Sequence, residues 1–187
     1  MKGNVFSVKK GLSPDFMFEK YSDVTPEFLR SHGITAILSD IDNTLAPYEM
    51  PEPDECIVRW VEELKQNGIS IALISNNSKE RVELFNKSLG LVAYADSGKP
   101  ATKKLRRALA DIGGTKENCA VLGDQLLTDV WSARNLGVRA IVVPPIRDKK
   151  TLFFRFKRAL ERPIVKRYLK KHGYEGKAET DGGSDDK

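Results

Sequence analysis

The chain has 187 residues, 40% of them hydrophobic and 30% charged, which suits one globular domain with a core of its own and argues against disorder. No run approaches the roughly 20 apolar residues of a membrane span, and the two cysteines, Cys56 and Cys119, lie far apart with no disulfide or metal spacing. A secreted disulfide scaffold, an integral membrane protein and a simple zinc module are thereby excluded. The N-terminal stretch is charged but lacks the apolar stretch of a secretory signal, so a reducing cytoplasm is the expected location. The formal net charge of +5 is unevenly placed: −1 over residues 1–146, +9 over 147–172 and −3 over 173–187. One segment near the C-terminus thus offers a surface for something anionic.

Taken in chain order, Thr25-Pro26 starts a short helix that stops at Gly33. Ile34 to Leu38 reads as a buried strand running into Ser39-Asp40. Asp54 to Asn67 reads as a helix with Ile57, Val61 and Leu64 on one face and Gly68 as its stop. Ile69 to Ile74 is a second strand, ending in Ser75-Asn76-Asn77, and Ser78 to Leu89 a helix closed by Gly90. Leu91 to Ala95 forms a short third strand, Thr102 to Asp111 a helix, and Cys119 to Leu122 a fourth strand running into Gly123-Asp124. Thr128 to Leu136 is a helix, and Val138 to Val143 a fifth strand ended by Pro144-Pro145. Short apolar runs alternating with helical patterns predict an α/β fold with a parallel sheet.

Each strand delivers polar residues at its C-terminal end, where open α/β sheets place ligands. Asp40-Ile41-Asp42-Asn43-Thr44 puts two carboxylates two residues apart just past an apolar strand. Ser75-Asn76 offers a hydroxyl and backbone amides at a helix start, as a phosphate cradle or as a plain cap. Lys99-Pro100 precedes another helix, and Gly123-Asp124-Gln125-Leu126-Leu127-Thr128-Asp129 brings two further carboxylates to a strand end. In this order the four segments resemble the motifs of the haloacid dehalogenase-like superfamily, whose fold is a Rossmann-like three-layer sandwich. The resemblance implies a strand order of 3-2-1-4-5, gathering Asp40, Ser75 and Asp124 at one crevice.

Phosphate monoesters hydrolyse so slowly in water that enzymes accelerate the reaction by up to roughly 10²¹-fold. An anionic nucleophile must reach an anionic phosphoryl group, so cations must offset the repulsion. The resemblance implies that Asp40 is the nucleophile and that Asp42 is the acid and base. It implies Mg²⁺ held by Asp40, Asp124 and the backbone carbonyl of Asp42, with Asp129 orienting Lys99 or a metal-bound water. Lys99 would neutralise phosphoryl charge, and Ser75, Asn76 and Thr44 would bind the phosphate. The carboxylate at Asp42 favours a phosphatase over a dehalogenase, and the lack of membrane spans disfavours a pump.

About 30 residues separate Asp42 from Ser75, and 24 positions separate Ser75 from Lys99. Neither gap can hold a folded cap domain, so the site is expected to be open. In the basic segment, Leu152, Phe153, Phe156, Leu160, Ile164, Tyr168 and Leu169 recur at helical spacing, interrupted at Pro163 and interleaved with Lys and Arg. That pattern suits an amphipathic helix or helix pair on an anionic membrane. It equally suits a helix packed on the sheet with a solvated basic face, and a nucleic-acid patch is a third reading, though no nucleic-acid module accompanies it.

Leu12-Ser13-Pro14-Asp15, Asp23-Val24-Thr25-Pro26-Glu27 and Gly33-Ile34, together with the two Asp motifs, are similar to the YqeG-like, subfamily IIIA haloacid dehalogenase-like phosphatases. That group resembles the mitochondrial phosphatidylglycerophosphate phosphatases of fungi and plants. The resemblance implies an anionic phospholipid substrate at a membrane surface, with no specific nucleic-acid partner; the alternatives are a phosphatase for a soluble nucleotide, sugar phosphate or phosphoprotein, and a regulatory protein associated with nucleic acid or ribosomes. Residues 1–172 are expected to form one capless domain that includes the basic segment, and the acidic residues 173–187 a disordered tail.

Overall fold

The computed structural model describes residues 11–147 and 152–176. In chain order the elements are β1 (Phe16–Met17), α1 (Pro26–Ser31), β2 (Ala36–Ser39), α2 (Glu55–Gln66), β3 (Ser70–Ile74), α3 (Lys79–Asn86), β4 (Val92–Tyr94), α4 (Lys103–Asp111), β5 (Cys119–Gly123), α5 (Trp131–Leu136), β6 (Arg139–Val142) and α6 (Leu152–His172). The six strands form one parallel sheet in the order β1-β6-β5-β2-β3-β4. Read from β4, the first five follow the expected order. β1 is an addition at the edge.

β2 lies at the centre, with Ile37 opposite Ile71 of β3 and Ala120 of β5. All four of its residues are buried, which explains its unbroken apolar run. Alternation along the strands then feeds two cores. Ile37, Ile71, Leu73 and Ala120 meet Leu29 of α1, Ile57, Trp60, Val61 and Leu64 of α2, and Val82 and Phe85 of α3. Ala36, Leu38, Ala72 and Val121 meet Leu105 and Leu109 of α4, Ala133 and Leu136 of α5, and Tyr168 of α6. The result is a three-layer Rossmann-like α/β sandwich of the haloacid dehalogenase-like type. α2 alone lies between β2 and β3, so no cap domain covers the strand ends on that side.

Three boundaries differ from expectation. The segment Leu126–Val130 is a π turn that precedes α5, with Asp129 N–H and Val130 N–H both donating to the Gln125 carbonyl. α6 runs through Pro163 without a break. The proline lies on the exposed side, where water can serve the carbonyl it leaves unbonded. The apolar series of α6 also splits. Ile164, Val165, Tyr168 and Leu169 pack on the second core, whereas Phe156 and Leu160 are 63% and 51% exposed.

Two long-range contacts anchor the chain's first described segment. Tyr168 Oη donates to the Asp15 carbonyl at 2.9 Å, and Arg134 forms an ion pair with Asp15 at 2.7 Å. Past α6, Glu175 N–H donates to the Met17 carbonyl at 2.8 Å, and Tyr174 packs on the second core. Of the expected tail, residues 173–176 are thus described, and 177–187 lie outside the described residues.

Candidate active site

β2 ends at Ser39, and the chain then turns so that Asp40 and Asp42 face the crevice beyond the strand ends. Three N–H groups, of Thr44, Leu45 and Ala46, converge on the Ile41 carbonyl, and Asn43 takes the left-handed conformation (φ 65°) that asparagine tolerates. The crevice measures about 260 Å³ and is lined by Asp40, Asp42, Tyr48, Ser75, Asn76, Asn77, Lys99, Gln125, Thr128 and Lys157.

Lys99 occupies its floor, 7% exposed. Its ammonium donates to Asp40 Oδ1 at 2.7 Å, Asp129 Oδ1 at 2.7 Å and the Ile74 carbonyl at 2.9 Å, which uses all three protons. Burial alone would lower its pKa, but Asp129 and Asp40 more than reverse this and hold it above the ordinary lysine value. Burial is also the main influence on Asp40. Reinforced by the charges of Asp129 and Asp42, it outweighs Lys99 and raises the carboxyl to about 7.

Asp129 is locked in place on its other oxygen, which accepts from Gln125 N–H at 3.1 Å and Thr128 Oγ1 at 3.4 Å. Its approach requires Gly123, because a Cβ at that position would land on the Asp129 carboxyl carbon. Asp40, Asp124 and Asp129 are all buried and offer carboxylate oxygens within 4.8 Å of one another. This all-oxygen donor set fits a hard divalent cation such as Mg²⁺.

Asp42 faces a different wall. Its Oδ1 accepts from Arg81 Nε at 3.3 Å and Nη2 at 3.2 Å, and its Oδ2 from Asn77 Nδ2 at 3.2 Å and Ser75 Oγ at 3.4 Å. Its carboxylate is therefore apart from the three-carboxylate cluster, and only its backbone carbonyl remains as a means of joining a metal.

The other expected phosphate binders separate. Ser75 lines the crevice but does not cap α3, whose N-cap is Ser78, accepting from Arg81 N–H. Asn76 also lines it, with its amide committed to the lysine loop: Nδ2 donates to the Lys99 carbonyl, while Oδ1 accepts from Lys99 N–H and Ser97 Oγ. Thr44 departs from expectation. It is buried against Asp40, with its hydroxyl 3.5 Å from Oδ2, so it supports the carboxylate and does not line the crevice.

Several functional positions escape sequence reading. Arg81 looks like an ordinary helix-surface arginine, although the side chain is 12% exposed, donates also to the Pro51 carbonyl and lies over the Phe85 ring. Tyr48 lines the crevice, and burial together with the nearby Asp42, Asp40 and Asp124 charges raises its phenol pKa. Lys157 reaches the crevice from α6.

The family model described as haloacid dehalogenase-like hydrolase matches residues 13–137. The chain belongs to the haloacid dehalogenase-like hydrolases. The matched span includes every motif residue from Asp40 to Asp129. The Bacillus subtilis (strain 168) protein named Probable phosphatase YqeG is 36% identical over 167 residues, covering 89% of this chain and 96% of that protein. A Vibrio cholerae structure assigned as a 3-deoxy-D-manno-octulosonate 8-phosphate phosphatase superposes with a TM-score of 0.52 at 17% identity, covering 78% of this chain and 89% of that one. It shares the haloacid dehalogenase-like fold.

Proposed function

We propose that this haloacid dehalogenase-like hydrolase is a Mg²⁺-dependent phosphomonoesterase that works through an aspartyl-phosphate, and that its substrate is phosphatidylglycerophosphate. The observation that supports the chemistry is the placement of Asp40: at the floor of an open crevice, on Lys99, beside Asp124 and Asp129. The 36% identity to a protein named a phosphatase agrees with it.

In the first step an Asp40 oxygen bonds to phosphorus and the phosphorus–oxygen ester bond breaks. Asp42 gives its proton to the departing alkoxide. Arg81 holds Oδ1 of Asp42, and Ser75 and Asn77 hold Oδ2, so the carboxyl group is fixed in orientation for this transfer. In the second step Asp42 takes a proton from water, the oxygen of that water bonds to phosphorus, and Asp40 is released with inorganic phosphate. Lys99 holds Asp40 in line and offsets charge at the phosphoryl oxygens, and Ser75 turns its hydroxyl to them. Asp40, Asp124 and Asp129, with the Asp42 carbonyl, would hold Mg²⁺, which supplies further charge neutralisation and fixes the phosphoryl group.

The lipid reading is supported by the resemblance of the loops and by α6. Phe156 and Leu160 are exposed neighbours one turn apart, on a helix whose Arg162, Lys166, Arg167, Lys170 and Lys171 are also exposed. An apolar pair among cations suits the surface of an anionic bilayer. No helix among the described residues is long and apolar enough to cross a membrane, so this reading makes the protein peripheral, on a cytoplasmic membrane face. The site lies open to the same solvent, so a headgroup can be reached without extracting the lipid.

The test is phosphate release from phosphatidylglycerophosphate in mixed vesicles with Mg²⁺, against a panel of soluble nucleotides, sugar phosphates and phosphopeptides. The Asp40→Asn variant is the control. Release from the lipid far faster than from the panel, abolished in the variant, is the expected result. Turnover of a soluble ester with none of the lipid would keep the chemistry and replace the substrate.

A further inference from the structure

The phosphoryl end of the crevice is furnished by Asp40, Lys99 and Ser75, yet another cation lines the same cavity. Lys157 comes from α6, outside all four motifs, and is half-buried at the crevice wall. Its helix is fixed there. Glu161, one turn on, is 3% exposed, and its Oε1 accepts the Leu127 N–H at 3.0 Å, within the π turn that joins Asp124 to Asp129. Tyr168, seven residues further, is buried and bonded to the Asp15 carbonyl. Residues 157, 161 and 168 share one helix face by their spacing, so the face that docks α6 also carries Lys157 to the crevice. A rigid mount of this kind is what a specificity contact requires.

Lys99 already serves the transferred phosphoryl group, and its three protons are spent at the floor. Lys157 adds a second cationic side chain to the lining of the same crevice, within reach of a substrate seated there. Resting on the phosphatase reading above, we infer that Lys157 binds an anionic group on the leaving alcohol, so that the enzyme prefers phosphomonoesters carrying a second negative charge. α6 thereby does in one helix what a separate cap domain would otherwise do for selectivity. The second group is a phosphodiester or a carboxylate, which share the charge and the acceptor oxygens that an ammonium recognises.

The experiment compares kcat/KM, with Mg²⁺, on three soluble probes: 4-nitrophenyl phosphate, 3-phosphoglycerate, and an acyl-free glycerophosphoglycerol phosphate. None requires a membrane. The full chain is compared with Lys157→Gln and Lys157→Arg, whose folding is checked by thermal melting. The wild type is expected to prefer one or both doubly anionic probes over the aryl phosphate. Lys157→Gln should shrink that preference about tenfold, mainly through KM, as expected for loss of one charge-assisted hydrogen bond, and Lys157→Arg should restore most of it. Whether the carboxylate or the phosphodiester probe is affected identifies the group. A preference ratio unchanged in Lys157→Gln, or equal losses on all three probes, would overturn the inference while leaving the phosphatase reading intact. A wild type that cleaves no phosphomonoester would overturn both.

Discussion

Arg81 reaches from α3 to place both Nε and Nη2 on the same oxygen of Asp42, at 3.3 and 3.2 Å. The guanidinium is itself fixed by the Pro51 carbonyl at 2.9 Å and by the Phe85 ring. Asp42 is thus oriented from outside the motif that contains it. Arg81→Lys removes the fork and frees the carboxylate to rotate. A fall in kcat of about tenfold or more is expected, a part of the roughly 10²–10⁴-fold that a positioned acid typically supplies. The loss should be greater for alkyl phosphates than for 4-nitrophenyl phosphate, whose leaving group needs little protonation. Equal losses on the two would mean that Arg81 serves the fold and not the acid.

Lys99 bridges Asp40 and Asp129, and it is buried with them. Lys99→Met leaves two buried carboxylates without that charge, and breaking a buried pair typically costs about 3–5 kcal/mol. The variant should be inactive on any phosphomonoester and should melt well below the wild type in EDTA. Mg²⁺ should recover more melting temperature in the variant than in the wild type, since a cation then takes over part of the lysine's charge. Parallel melting curves in EDTA would contradict this account.

Gly123→Ala tests the approach of Asp129. The added methyl collides with the carboxyl group, and overpacking of this kind costs about 1–3 kcal/mol. Displacing Asp129 also disturbs Lys99. The expected signature is a higher Mg²⁺ concentration for half-maximal activity, read by titration, alongside the lower melting temperature. A loss of stability with unchanged Mg²⁺ dependence would show that Asp129 does not contribute to the metal site.

The pH dependence of stability without metal has a definite sign. Asp40 is held in the fold at about 7, against 3.8 for the free group. Between these values the folded state holds a proton that the unfolded state has lost, so this group's contribution to stability falls as pH rises from about 4 to about 7, and levels off above. Asp40→Asn carries no such charge. In EDTA its melting temperature relative to wild type should climb across that window and then plateau. A gap independent of pH would exclude a raised Asp40.

Much of this was legible because the apolar runs are unbroken where both faces are covered. Ile37, Leu38, Leu73 and Leu122 mark strands whose ends must carry the polar residues. Asp40, Asp42, Ser75, Asp124 and Asp129 were readable for that reason, as polar groups following buried segments, whereas Lys99 follows a half-buried strand and was legible only through the order of the four motifs. β1 was not, since two residues set no period. Asp15, just before them, is held by Arg134 and Tyr168, partners more than a hundred residues away. Arg81 and Lys157 were hidden in runs of surface charge, where nothing local separates the one side chain that turns inward from those that stay in water. The course of α6 through Pro163 depends on which side of the helix meets solvent, a tertiary matter.

β1 and the segment after α6 have a consequence for the molecule among its own copies. An open strand edge is a template for pairing with another chain. β6 would present such an edge, with Ala140, Ile141 and Val142 in line, were it not occupied by Phe16 and Met17. The outer side of β1 is engaged in turn by Glu175 N–H. The sheet is sealed on this flank by two segments from distant parts of the sequence, one laid over the other. α6 is therefore tied, through Tyr168 and Glu175, to the seal that keeps the sheet from recruiting a neighbour.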